Sequence, residues 1–296
     1  MTSIADRLPS PGALRDALAG VGYLADDGIA TALFCAARLG QPLLLEGEAG
    51  VGKTEAAKAL AAVLDTPLIR LQCYEGIDAS EALYEWNFPR QLLAIRVAEA
   101  AGEALSNDDL FGREYLVSRP LLRAVDHPGP LPAVLLIDEI DRADDEFEAF
   151  LFELLAEGSV TIPELGTIHA IHVPVVVLTS NRTRDLHDAL KRRCLYHWID
   201  YPELERTTAI IRQRVPSANT SLVAQVAAAV RRLRTLDVQK PPGVAEAINW
   251  VQALEVLGCT VLDETAVSMT VGSVLKYRED LATVAERGLD WVADAS

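Results

Sequence analysis

Gly47-Glu48-Ala49-Gly50-Val51-Gly52-Lys53-Thr54 decides the fold. The apolar run Leu43-Leu44-Leu45 precedes it and Glu55-Ala56-Ala57-Lys58-Ala59-Leu60 follows, so the order predicted is strand, glycine loop, helix. In that context the eight residues match the Walker A pattern. Backbone N–H groups of such a loop converge on phosphate, and the following helix turns the positive end of its dipole on the same anion. Glycine at both ends leaves no Cβ where the backbone must bend sharply. Lys53 is expected to reach the β- and γ-phosphates, and the Thr54 hydroxyl to ligate Mg²⁺. Alone, the pattern could be a glycine-rich turn that binds nothing. The flanking strand and helix make it a nucleotide site.

A second element fits the first. Ala133-Val134-Leu135-Leu136-Ile137-Asp138-Glu139 is an apolar strand that ends in two consecutive carboxylates downstream of a phosphate loop, the Walker B order. Asp138 is expected to orient Mg²⁺, and Glu139 to polarise the water that attacks the γ-phosphate. Asp141, Asp144, Asp145 and Glu146 read as the opening turn of a helix whose buried face is Phe147, Phe150, Leu151, Leu154 and Leu155, where acid complements the helix dipole. A further apolar strand, Val173-Pro174-Val175-Val176-Val177-Leu178, ends at Thr179-Ser180-Asn181. The Asn181 amide is placed to hydrogen-bond a γ-phosphate or its attacking water, although asparagine is also a common turn residue. Lys191-Arg192-Arg193 sits at the end of a short helix. That position suits either a favourable C-terminal charge or a cation projected into a neighbouring subunit's nucleotide.

Composition narrows the partners. The 296 residues are half hydrophobic, with a formal net charge of -16 and a pI of about 4.7. Such a charge opposes nonspecific binding to nucleic acid or to an anionic membrane. Met1 to Ser10 does not read as a secretory signal, and no run approaches the ~18 apolar residues that suggest a membrane span, so no stable membrane insertion is expected. Cys35, Cys73, Cys194 and Cys259 are scattered without a C-x-x-C pair, which fits reduced thiols in a cytoplasm. His169 and His172 stand at an odd separation in a β-like segment, so they point to opposite faces and do not readily share a metal ion.

The remaining chain supplies the frame. Residues 13 to 39 read as two helices, and Pro67 to Cys73 as a buried parallel strand. Tyr74 to Pro132 carries no strong strand signal in its first half. Its Trp86 and Phe88 suit a satellite core or an exposed loop equally, and Leu92 to Leu105 reads as a helix. Ser159 to Ala170 has β-rich runs around Pro163-Glu164-Leu165-Gly166, a hairpin signal. Tyr201-Pro202 breaks the pattern and sets the expected domain boundary, 1–201 and 202–296. Helices are expected at 205–214, 219–236, 243–257 and 263–286.

The order of phosphate loop, Asp138-Glu139 strand, Asn181 strand and arginine-bearing helix, followed by helices alone, resembles an AAA+ ATPase core: an α/β fold, a three-layer αβα domain with a parallel sheet and a small all-helical lid domain. Within that superfamily, Asp138-Glu139-Ile140-Asp141-Arg142-Ala143 and Leu154-Leu155-Ala156-Glu157-Gly158-Ser159-Val160-Thr161-Ile162 are similar to the MoxR group. Tyr84 to Leu93 looks most like the CoxD-type members. The resemblance implies ATP and Mg²⁺ as cofactors, with Gly47, Glu48, Ala49, Gly50, Val51, Gly52, Lys53, Thr54, Glu55 and Asp138 in the nucleotide site. It assigns Thr54 and Asp138 to the magnesium, Glu139 to catalysis, Asn181 to sensor 1, and Arg193, with Arg192 as the alternative, to the arginine finger. It also implies a hexameric ring, a von Willebrand A domain partner and a client metalloenzyme such as a molybdenum-containing carbon monoxide dehydrogenase. One departure stands out. Where the group carries Pro-Arg at the start of a lid helix, this chain reads Pro241-Pro242-Gly243-Val244, so the sensor 2 arginine is missing and Lys240 is a candidate substitute. A nucleotide-gated scaffold with negligible turnover is the alternative from another class. A small-molecule kinase fits less well, because kinases lack this carboxylate pair, sensor strand and lid.

Overall fold

The computed structural model describes residues 3–102 and 104–293. Nine strands form: β1 (Leu43–Gly47), β2 (Leu68–Gln72), β3 (Tyr84–Trp86), β4 (Leu116–Ser118), β5 (Val134–Asp138), β6 (Ser159–Ile162), β7 (Gly166–His169), β8 (Val175–Ser180) and β9 (Leu195–Ile199). Five of them make one sheet in the order β2-β5-β8-β1-β9. β2, β5, β8 and β1 run parallel. Every residue of β1, β5 and β8 is buried, which is why these strands are written as unbroken apolar runs rather than as alternating ones. Because the strands are parallel and adjacent, the ends of β5, β8 and β1 face the same way. Glu139 and Asn181 follow the ends of β5 and β8, the side of an open α/β sheet where ligands bind.

The sequence reading misses β3 and β4. Three residues are too few to show a period of two, and Tyr84 pairs antiparallel with Ser118 far along the chain. Between them lies the helix Phe88–Ala101, which starts earlier than expected. Asn87 caps it by accepting the Arg90 N–H at 3.1 Å, and Pro89 suits the first turn. Trp86 and Phe88 divide the two roles open to them. Trp86 is buried edge-on against Phe111 at 5.1 Å, whereas Phe88 is 64% exposed and shares that helix's outer face with Leu92, Leu93 and Val97. The hairpin expected at 159–170 forms as β6 and β7, with Ser159 opposite His169 and Ile162 opposite Gly166.

From Leu204 onward the described chain is helical. The helices Leu204–Arg214, Thr220–Leu233 and Val244–Val256 fall where the pattern put them. The single helix expected over 263–286 is instead two, Glu264–Thr270 and Arg278–Arg287, separated by a 3₁₀ turn at Val271–Ser273. Gly272 lies in that turn, and glycine gives up the most backbone freedom in a helix. Trp250 anchors the core of this region, fully buried, with its indole N–H donating to Thr270 Oγ1 at 2.7 Å. Contacts group the chain into two compact units. One takes the chain up to Val21, Ala25–Glu46 and Thr54–Trp198; the other takes Gly22–Leu24, Gly47–Lys53 and the chain from Ile199. Among the described residues, no helix is long and apolar enough to cross a membrane.

Candidate functional site

The loop Gly47–Lys53 belongs to the second unit, where it can be followed residue by residue. Gly50 and Gly52 have φ of 77° and 100°, a region that residues with a Cβ rarely enter, so the turn depends on glycine at both. Lys53 opens the helix Lys53–Leu64 and is buried; its Nζ donates to Gly47 O at 2.7 Å and Glu48 O at 2.8 Å. The ammonium therefore braces the loop from inside. Val244 N–H donates to Gly50 O at 3.0 Å from the start of the helix Val244–Val256.

In the first unit, the end of β5 gathers a polar cluster. Asp138 is 3% exposed, and its carboxylate accepts from Thr54 Oγ1 at 3.0 Å, Thr179 Oγ1 at 2.6 Å, and Arg70 Nε and Nη2 at 2.9 and 2.6 Å. Thr179 holds both neighbours, since its hydroxyl also accepts the Glu139 N–H at 2.9 Å. Glu139 has φ of 55°, left-handed for a non-glycine residue, and its carboxylate meets Gln72 Nε2 at 3.1 Å and Arg142 Nε at 3.2 Å. Arg70 and Gln72 also hydrogen-bond each other. β2 pairs with β5 so that Gln72 faces Asp138, which explains how two residues of the neighbouring strand reach both carboxylates.

The field here is negative. The Cys73 thiol is pushed up to about 12, mostly by burial and then by the charges of Asp138, Asp141 and Glu139. A carboxylate and a hydroxyl in contact, in a negative field, are hard oxygen donors of the kind that Mg²⁺ takes. The residues present therefore fit a magnesium ion held through Thr54 and Asp138. Bound there, the ion would neutralise charge on the phosphate oxygens.

Asp141 does not act as the sequence reading expects. It is 2% exposed and lies ahead of the helix Asp145–Phe150, whose N-cap is Asp144, accepting Phe147 N–H at 2.9 Å. Its Oδ2 instead accepts from Asn181 N, Thr183 N and Thr183 Oγ1 at 3.2, 2.9 and 2.7 Å. Asp141 thus shapes the turn that presents Asn181. The Asn181 amide takes no hydrogen-bond partner among the described residues, so it is available to a ligand. Arg193 lies over the Phe152 ring at 4.6 Å and donates to Ala189 O at 3.0 Å, while the exposed Arg192 side chain has no partner among the described residues. Arg70, Gln72, Thr179 and Asp141 escape the sequence reading. The signal for the first two is a pair of polar residues two apart inside an otherwise apolar strand.

Residues 42–194 match the model of the AAA domain of the dynein-related subfamily. Among similar proteins, the gas vesicle ATPase GvpN of Haloferax mediterranei is 24% identical over 258 residues, 81% of this chain and 71% of that protein. The gas vesicle ATPase GvpN1 of Halobacterium salinarum is 25% identical over 211 residues, 66% of this chain and 57% of that protein. An uncharacterised protein of Staphylococcus haemolyticus is 26% identical over 216 residues, 71% of this chain and 73% of that one. Among solved structures, the Thermotoga maritima RuvB Holliday junction branch migration motor aligns over 91% of this chain and 71% of its own, at 16% identity and a TM-score of 0.44. The matched segment exceeds half of the 296 residues and contains the phosphate loop, the Asp138 strand and the Asn181 strand, so the chain belongs to the AAA domain family, dynein-related subfamily.

Proposed function

We propose that the chain is a Mg²⁺-dependent ATPase of the MoxR group, most like its CoxD-type members. The observation that carries this reading is the division of labour at the end of β5: Asp138 buried under four donated hydrogen bonds beside the Thr54 hydroxyl, and Glu139 one residue on, partly open and held by two. In this reading Gly47 to Glu55 and Asp138 bind ATP, Thr54 and Asp138 hold the metal, and Glu139 takes the proton of the attacking water while Asn181 orients it. Arg192 or Arg193 completes the site from the next subunit of a hexameric ring. Residues 1–201 form the nucleotide-binding domain and 202–296 a helical lid whose movement on loss of the γ-phosphate remodels a client. The segment Tyr84–Leu93 supports a metalloenzyme client of the molybdenum-hydroxylase kind, reached with a von Willebrand A domain partner. The names of the halophile relatives support ATP hydrolysis but attach it to gas vesicles. The site of action is cytoplasmic.

The test is steady-state ATP hydrolysis across a wide protein concentration range, with Lys53→Ala as the inactive control. Specific activity that rises with concentration and vanishes in the control is expected. Turnover at the control's level throughout, with ATP binding intact, would replace the ATPase by a nucleotide-gated scaffold. Gly243, standing where the resemblance expects an arginine, favours that second reading.

A further inference from the structure

Two features of the unit that holds the phosphate loop point to a binding residue not yet assigned. The first is steric. Gly243 caps the helix Val244–Val256 and lies directly on the loop: a β-carbon added there would stand 2.8 Å from Ala49 O and 2.9 Å from Gly50 Cα. Both are backbone atoms, in a loop already tied to Val244 N–H. No side chain fits at Gly243, an arginine included. The Lys240 side chain is exposed, and among the described residues only its backbone N–H is engaged, by Asp280, so the chain itself does not hold that ammonium in place.

The second feature is a guanidinium with a donor to spare. Arg234 ends the helix Thr220–Leu233, stacks over the Tyr201 ring at 4.1 Å and donates from Nε to Pro242 O at 2.7 Å. Pro242 immediately precedes Gly243, and the Tyr201 hydroxyl donates to Pro241 O at 3.2 Å. One short segment, 241–244, is therefore held by Arg234 and Tyr201 on one side and by the phosphate loop on the other. Arg234 Nη2 is shut off from solvent and has no acceptor among the described residues. A desolvated N–H of a charged group without an acceptor is costly, and a native structure supplies that acceptor from a bound water, an ion or a ligand. Burial pulls the guanidinium below its ordinary range, with Tyr201 and Glu246 opposing that shift. Of the two, Glu246 is already spent on the Gly243 N–H at 3.0 Å. An anion from outside the chain, beside a loop shaped for phosphate, would supply the acceptor that Nη2 lacks.

The geometry points to Arg234 as the cation with which this unit grips the polyphosphate of the nucleotide bound in the Gly47–Thr54 loop, in place of a side chain that Gly243 cannot carry. The inference rests on the reading of that loop as an ATP site. Tyr201 and Pro242 set the guanidinium's plane and leave the Nη2 amino group for a phosphate oxygen; the planar fork makes arginine better suited than lysine to the task.

Equilibrium binding of a fluorescent ATP analogue to the full chain tests it, with Arg234→Gln, Arg234→Lys and Lys53→Ala, alongside melting of each without nucleotide. Arg234→Gln is expected to bind ATP roughly 10- to 100-fold more weakly, the effect of one lost charge-assisted hydrogen bond, and to stay folded at the assay temperature with only a small drop in melting temperature from its lost contacts with Pro242 and Tyr201. Arg234→Lys should fall between the two. An Arg234→Gln protein that binds ATP with unaltered affinity overturns the assignment, as does one that loses only thermal stability and leaves Arg234 a structural pin. Should the glutamine variant not fold, ATP binding by Arg234→Lys at full affinity has the same force. Absence of ATP binding by the unaltered chain, matching Lys53→Ala, removes the nucleotide reading itself and this inference with it.

Discussion

Asp138 and Glu139 are adjacent, identical in charge and opposite in situation. Asp138 closes a fully buried strand and receives hydrogen bonds from three side chains on three other segments, with a side chain only 4% exposed. Glu139 has already left the strand; its side chain is 34% exposed and its backbone is left-handed. A buried carboxylate is tolerated only when every lone pair is occupied, and the same partners fix its position. A carboxylate with open lone pairs can still accept from water or a ligand, and its left-handed backbone is held in place by the Thr179 hydroxyl at its N–H. One acid is therefore fully occupied by the chain while its neighbour keeps lone pairs open, and the difference arises from a single peptide unit at which the sheet ends.

The comparison breaks first at Glu139. Glu139→Gln keeps the shape and both side-chain contacts but removes the base of the proposed reaction, so turnover should fall about 100- to 10,000-fold while ATP affinity and melting temperature stay put. Loss of binding or of stability would mean that Glu139 is as structural as Asp138. Asp138→Ala should do the reverse damage. It leaves Thr54, Thr179 and Arg70 without their acceptor, and chemical denaturation should report a loss of about 1–3 kcal/mol, with metal-dependent nucleotide binding lost as well. A variant as stable as the unaltered chain would show that the four donated bonds hold nothing in place. The smallest expected effect sharpens the contrast. Gln72→Ala frees Glu139 from one of its two holders and reaches Asp138 only through Arg70, whose own bonds to Asp138 remain, so turnover should shift by roughly 2- to 5-fold, within the range of one neutral hydrogen bond, and stability should fall far less than in Asp138→Ala. A stability loss comparable to that of Asp138→Ala would show Gln72 to be part of the buried network instead.

What is local in the chain was legible, and what is brought together by pairing was not. The phosphate loop declares itself because all its parts lie within eight residues, between a strand and a helix. Asp138 and Glu139 are legible as the end of an apolar run. The groups that hold them come from β2 and β8 and depend on register: Gln72 opposite Asp138, and Thr179 one strand over. Asp141 was misread because acidity at a helix start is a sound local rule, and the rule was overridden by burial against the 181–183 turn. The split of Trp86 from Phe88 follows from Asn87, whose cap starts a helix between them and sends one ring inward and the other out. The 3₁₀ break at Val271–Ser273 was visible as Gly272, but a lone glycine within a periodic pattern is more often absorbed than obeyed.

The contact of Gly50 with Gly243 carries a consequence for variation. Each position denies the other a side chain: a β-carbon at Gly50 would meet Gly243 Cα at 3.2 Å, and one at Gly243 would meet Gly50 Cα at 2.9 Å. Gly50 is doubly bound, since its φ of 77° excludes most residues on its own account. Gly243 has no such excuse in its backbone, whose φ of -82° any residue adopts. In a library of all single substitutions, position 243 should nonetheless be as intolerant as the phosphate loop itself, alanine included. The constraint on the loop is thereby inherited by a residue far outside it, and neither site can drift unless the other has already moved.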